Sequence, residues 1–123
     1  MERLENLYRS FYNAFKGLFM VWKYERNARI HLIAAVTVLI AGLWLRLSAA
    51  ELSAVLLAVL AVFMGEIFNT AFEKTLDLVE PSHNPKVGAI KDMAAAGVLV
   101  ASMAAVAIGI VIFWPHVEVL WVR

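Results

Sequence analysis

Glu66, Asn69, Thr70, Glu73, Asp77 and Glu80 recur at steps of three and four residues. On a helix advancing about 100° per residue, all six point within an arc of roughly 100°, so one face is rich in carboxylates. For Asp77 and Glu80, near the end of that helix, a solvated face explains the acids as well as a functional role does. Glu66 is different, because it directly follows the apolar run from Leu52 to Gly65. A carboxylate at membrane depth costs a few kcal/mol and is a functional candidate by default.

Two further acidic elements converge on the same level of the chain. Glu25 sits in Lys23-Tyr-Glu25-Arg26-Asn27-Ala-Arg29 and Asp92 follows Lys91. Alone, Glu25 reads as an interfacial ion-pair residue. Several carboxylates near one point repel unless a cation or protons neutralise them. Mg²⁺ suits such a set, since it takes oxygen ligands and is commonly held by one or two carboxylates plus substrate phosphates. Phosphoryl transfer needs that metal, a Lys to stabilise phosphate charge, and a base for the acceptor hydroxyl. No G-x-x-x-x-G-K-[ST] or G-x-G-x-x-G occurs, so on the residues alone ATP rests on charge convergence and not on a phosphate loop. His31 and His116 lie at span ends and read as interfacial or packing residues. His83, in an acidic loop, stands evenly between a ligand and a bystander.

These residues must be positioned in lipid. Of the 123 residues 63% are hydrophobic, against about 45–50% for a soluble domain, and a single domain over 1–123 is expected at this length. Net charge is +1, which offers no basic field for nucleic acid. Cysteine is absent, which removes disulfide frameworks and thiolate metal sites. The N-terminus mixes charges with aromatics (Arg3, Glu5, Arg9, Lys16, Lys23) and does not resemble a cleaved signal peptide.

Leu4, Leu7, Tyr8, Phe11, Phe15, Leu18 and Trp22 recur at helical steps, predicting an amphipathic helix over about residues 3–24 that lies on the membrane. Transmembrane helices are expected over about 29–47, 49–80 and 85–114. Ser48 with Glu51 forms a capping-box pattern between the first two, Pro81 stops the second, and Asn84 with Pro85 can open the third. With the N-terminus cytoplasmic, Arg3, Arg9, Lys16, Lys23, Arg26, Arg29, Lys74, Lys86 and Lys91 fall inside and only Arg46 and Arg123 outside, which sets the orientation. Gly97, Ala101, Ala105 and Gly109 form a small-residue stripe at four-residue spacing, so an oligomer is expected. Trp22, Trp44, Trp114 and Trp121 lie near span ends as an aromatic belt.

At Glu66-Ile-Phe-Asn69-Thr70-Ala-Phe-Glu73-Lys-Thr-Leu-Asp77-Leu and Lys91-Asp92-Met-Ala-Ala-Ala-Gly97-Val, the chain resembles the prokaryotic diacylglycerol kinase and undecaprenol kinase family. The likeness covers almost the whole chain, with Ile90 standing where the family's lysine motif has Ala. The resemblance implies an all-α integral membrane protein with a surface helix and three transmembrane helices. It implies a homotrimer in a bacterial inner membrane, with sites between subunits at the cytoplasmic face. It makes ATP with Mg²⁺ the phosphate donor and a lipid alcohol the acceptor. By position, Glu66 is the catalytic base supported by Asn69. Glu25 and Glu73 are the metal ligands, and Asp77, Lys91 and Asp92 belong to the nucleotide site. Asn13, Ser82, His83 and Asn84 map to more peripheral nucleotide contacts. The Glu25-to-His31, Asp77-to-Pro81 and Ala94-to-Gly97 stretches look more like the undecaprenol branch than the diacylglycerol branch. A small proton-coupled transporter is the rival from another class, but its glutamate belongs near the bilayer midplane, whereas Glu66 leads a line of acids running toward one interface.

Overall fold

Hydrocarbon offers no partner for a backbone N–H or C=O, so a chain this apolar is confined to helices or a closed barrel. The computed structural model describes residues 2–121 as four helices: α1 (Glu2–Tyr24), α2 (Arg26–Trp44), α3 (Ala49–Val79) and α4 (Pro85–Trp121). The last three are long and apolar enough to cross a membrane. α3 packs chiefly against α4 and then α2, while α1 touches α2 and α3 only lightly.

Each break has a local cause. Glu25 adopts an extended conformation (φ −103°, ψ 115°) and does not cap α2 with its side chain, which leaves the carboxylate free to reach elsewhere. α2 ends in a Schellman turn. The Leu47 N–H donates to the Gly42 carbonyl at 3.0 Å and that of Arg46 to Leu43 at 3.2 Å, with Arg46 in the left-handed region at φ 56°. The Leu47 side chain folds over Gly42, where an added Cβ would stand 3.0 Å from Leu47 Cδ1. Ser48 then starts α3 with the expected capping box: the Glu51 N–H donates to Ser48 Oγ at 3.3 Å and the Ser48 N–H to Glu51 Oε2 at 2.8 Å. After the 80–84 loop, Asn84 Oδ1 accepts from the Lys86 N–H at 3.0 Å and Pro85 is the first residue of α4.

The buried apolar positions are Ala28, Ala35, Val55, Ala58 and Val62, all small or branched. Small side chains let helices approach closely where burial from water is not available as a driving force. Gly65 serves the α3–α4 contact in the same way, its missing Cβ facing the Val98 Cα at 3.6 Å. Between α2, α3 and α4 lies an apolar cavity of about 480 Å³, lined among others by His31, Ala35, Val62, Ala105, Gly109 and Phe113. Two of the four stripe residues, Ala105 and Gly109, thus face this cavity. Gly97 has open space around its Cα.

The third span departs from expectation. Its helix does not stop at Trp114 but continues through Pro115 to Trp121. Proline inside a helix removes one backbone bond and crowds the preceding turn, at about 3 kcal/mol. The extension nonetheless stays against α3, because His116 Nε2 lies 3.0 Å from Glu51 Oε1. Arg123, assigned above to the far side, lies outside the described residues. The four tryptophans are all exposed on the chain, as a belt requires.

The α2–α3 corner yields a paired test. An L-residue in the left-handed region costs about 1–2 kcal/mol relative to glycine, and a lost Ser cap costs about 1 kcal/mol. Arg46→Gly is therefore expected to raise the thermal midpoint in detergent micelles and Ser48→Ala to lower it, both read from the same unfolding scan.

Candidate active site

The polar face of α3 changes character along its length. Glu66 is 5% exposed and Thr70 4%, Asn69 and Glu73 are half-buried, and Asp77 is exposed. From Glu66 to Asp77 the rise is about 16 Å at 1.5 Å per residue. One helix face thus carries carboxylates from the buried part of the bundle out to its exposed end.

Each acid on this face meets a group from another element or a neighbouring turn. Glu66 Oε1 lies 3.0 Å from His31 Nε2 of α2. Asn69 Nδ2 donates to Glu73 Oε1 at 3.1 Å, which leaves Asn69 Oδ1 buried with no donor. Lys91 of α4 pairs with Asp77. Glu25, at the α1–α2 break, lies 3.2 Å from Lys74 Nζ. Glu25 and α3 therefore do meet, as the sequence leads one to expect, but through the lysine beside Glu73.

The remaining residues of the expected site stand apart from this line. Asp92 and Asn13 are exposed on α4 and α1, and His83 is exposed in the 80–84 loop. Asn84 is committed as a helix cap. Ser82 donates its hydroxyl and its backbone N–H to Glu80, which holds that carboxyl below the usual carboxylate range. Among the described residues, no three of the His, Asp and Glu side chains stand close enough to hold a metal ion. One chain thus places Glu66, Asn69 and Glu73 on one face of α3, and separately forms the Asp77–Lys91 pair, and among the described residues it closes no metal site.

Two partners escaped the sequence reading, His31 and Lys74. His31 lies fifteen residues before Arg46 and Glu66 eighteen after Ser48, so the tight corner brings them within one helical turn of the same depth. That count was the available signal. Lys74 had none, because its use depends on how the unwound Glu25 backbone is directed.

Residues 12–113, most of the chain, match the family described as prokaryotic diacylglycerol kinase. The chain belongs to that family. It is similar to undecaprenol kinase of Bacillus subtilis, with 38% identity over 112 residues that cover 91% of both chains. It is also similar to diacylglycerol kinase of Synechocystis, 37% identical over 85% of this chain and 60% of that protein. For diacylglycerol kinase of Escherichia coli the identity is 29% over 84% of each chain. As a member of the prokaryotic diacylglycerol kinase family it is a lipid kinase in a membrane, and ATP is the phosphate donor that such an activity implies. This membership sets aside the transporter, and it gives the acids of α3 a reaction to serve.

The Asp77–Lys91 pair is exposed enough that its net worth to folding is at most about 1 kcal/mol. Lys91→Met is expected to unfold within that margin of the parent in a micelle denaturation series, so that any large loss of turnover in this variant reflects chemistry.

Proposed function

We propose that the chain phosphorylates undecaprenol with MgATP at the cytoplasmic face of a bacterial inner membrane, as a homotrimer. The observation that carries this reading is Glu66, a buried carboxylate heading a line of polar groups that ends at a lysine near water. Of the relatives compared, the undecaprenol kinase combines the higher identity with near-complete coverage of both chains. Diacylglycerol is the second reading, favoured by the Synechocystis likeness over the shared region.

In this reading the lipid hydroxyl oxygen attacks the γ-phosphorus of ATP, the bond from that phosphorus to the β-bridging oxygen breaks, and ADP leaves. The hydroxyl proton passes to Glu66. Asn69 fixes Glu73 through its amide N–H, and Lys91 supplies positive charge to the phosphates once it exchanges Asp77 for them. Asp92, Asn13, His83 and Asn84 serve the outer part of the nucleotide. Glu25 and Glu73 would hold Mg²⁺, which neutralises phosphate charge when bound. The undonated Asn69 Oδ1 beside Glu73 fits such a cation, since hard metals take neutral and anionic oxygens together.

Assembly supports the same reading. α4 has no buried residue in the single chain, and the metal ligands are not gathered within it, so both its apolar surface and the site call for neighbouring copies. The nine basic residues of the inner side favour the cytoplasmic orientation. The exposed apolar face of α1, with Leu4, Phe11, Phe15 and Trp22 uncovered, suits a helix lying on the bilayer.

Glu66→Gln keeps shape but cannot accept the proton, so turnover is expected to fall roughly 10²–10⁴-fold, the usual worth of a general base, with MgATP affinity largely kept. Near-normal turnover would remove Glu66 from that role. Glu25→Gln and Glu73→Gln are each expected to raise the Mg²⁺ concentration needed for half-maximal activity, measured by titration at saturating ATP. Undecaprenol and diacylglycerol offered at equal mole fraction in one vesicle decide between the acceptors, the expectation being predominant undecaprenyl phosphate.

A further inference from the structure

Glu66 and His31 come from different helices and meet where the polar face of α3 gives way to hydrocarbon. The His31 Nε2–Glu66 Oε1 separation is 3.0 Å, and the two side chains are 29% and 6% exposed. Among the described residues Glu66 shows no other hydrogen-bond or ion-pair partner. The contact uses one carboxylate oxygen, leaving Oε2 uncommitted. On its other side His31 lines the apolar cavity between α2, α3 and α4. The imidazole therefore stands between the carboxylate and an apolar space of the kind that a lipid alcohol's chain requires.

We propose that His31 is a positioning residue for lipid phosphorylation: its Nε2–H holds Oε1 of Glu66, so that Oε2 faces an acceptor hydroxyl arriving along the apolar cavity. A glutamate has three side-chain torsions, and a base must sit within hydrogen-bond reach of the proton that it removes. A carboxylate anchored through one oxygen to a neighbouring helix loses most of that freedom before substrate arrives. Such a partner raises the fraction of encounters in productive geometry and leaves substrate binding nearly unchanged. An N–H donor also satisfies part of the hydrogen-bonding demand that a carboxylate brings into a site with little water. The proposal rests on Glu66 being the base.

The alternative is that the pair only satisfies a polar group in the bundle, and a double-mutant cycle separates the two. Met and Gln at position 31 match closely in length and differ in the amide donor. His31→Met is expected to lower kcat on the order of 10–100-fold, the usual scale for an orienting partner behind a reacting group, with KM for ATP and for lipid within about threefold. His31→Gln should recover most of the loss. In a Glu66→Gln background, His31→Met should bring less than about a twofold further loss, because a residue acting through the base has nothing left to orient. A full additional loss in that background would overturn the proposal, as would wild-type kcat in His31→Met or a Gln variant no better than Met. Near-normal turnover in Glu66→Gln alone would instead overturn the base assignment, so the two failures are distinguishable.

Discussion

Exclusion of water is the constraint on which the rest depends. Inside a bilayer an uncompensated polar group has no solvent to turn to, so the backbone closes on itself as helices and the side chains of Glu66 and its neighbours must find partners within protein. The His31–Glu66 contact is the deepest of these. It fixes the depth of α2 relative to α3, and the Schellman turn with its capping box makes a corner tight enough for that depth to be reached. The Asp77–Lys91 and Glu51–His116 pairs do the same for α3 and α4 at the two ends of their contact.

The gradient of exposure along α3 suits the division of labour proposed above for a lipid kinase. Near Glu66 the surroundings are apolar, as suits a substrate whose bulk is hydrocarbon. Near Asp77 they are wet and charged, as suits a nucleotide that arrives from water. A single helix face can serve both because its polar residues recur every three or four positions and so hold one direction while the depth changes. In the proposed reading the transferred phosphoryl group crosses only the short interval between these regimes, where Asn69 and Glu73 are half-buried.

Most of the fold was legible in the sequence, because lipid makes the rules strict. Spans, the capping box at Ser48, the cap at Asn84 and the direction of the acidic face follow from hydropathy and from helix-end chemistry that acts over a few residues. The helix beyond the expected span at Trp114 was not legible, because the contact that holds its last turns comes from Glu51, far away in sequence. The candidate site divides in the same way. Glu66, Asn69, Glu73 and Asp77 were readable as one face, but His31 and Lys74 were not, because a partner on another helix depends on the corner that sets the register. The spacing of acids along α3 could not show that Glu25 pairs with Lys74.

The distribution of these pairs bears on biogenesis. α3 carries Glu51 and Glu66, and the group that answers each sits on a different neighbour, His116 on α4 and His31 on α2. Entering lipid alone, α3 would expose Glu66 to hydrocarbon, whereas Glu51 keeps its Ser48 partners at the helix end. The lowest-cost route into the bilayer is therefore insertion of α2 and α3 as a hairpin, with α2 delivering its histidine alongside Glu66 and α4 adding His116 to Glu51 as the last helix arrives.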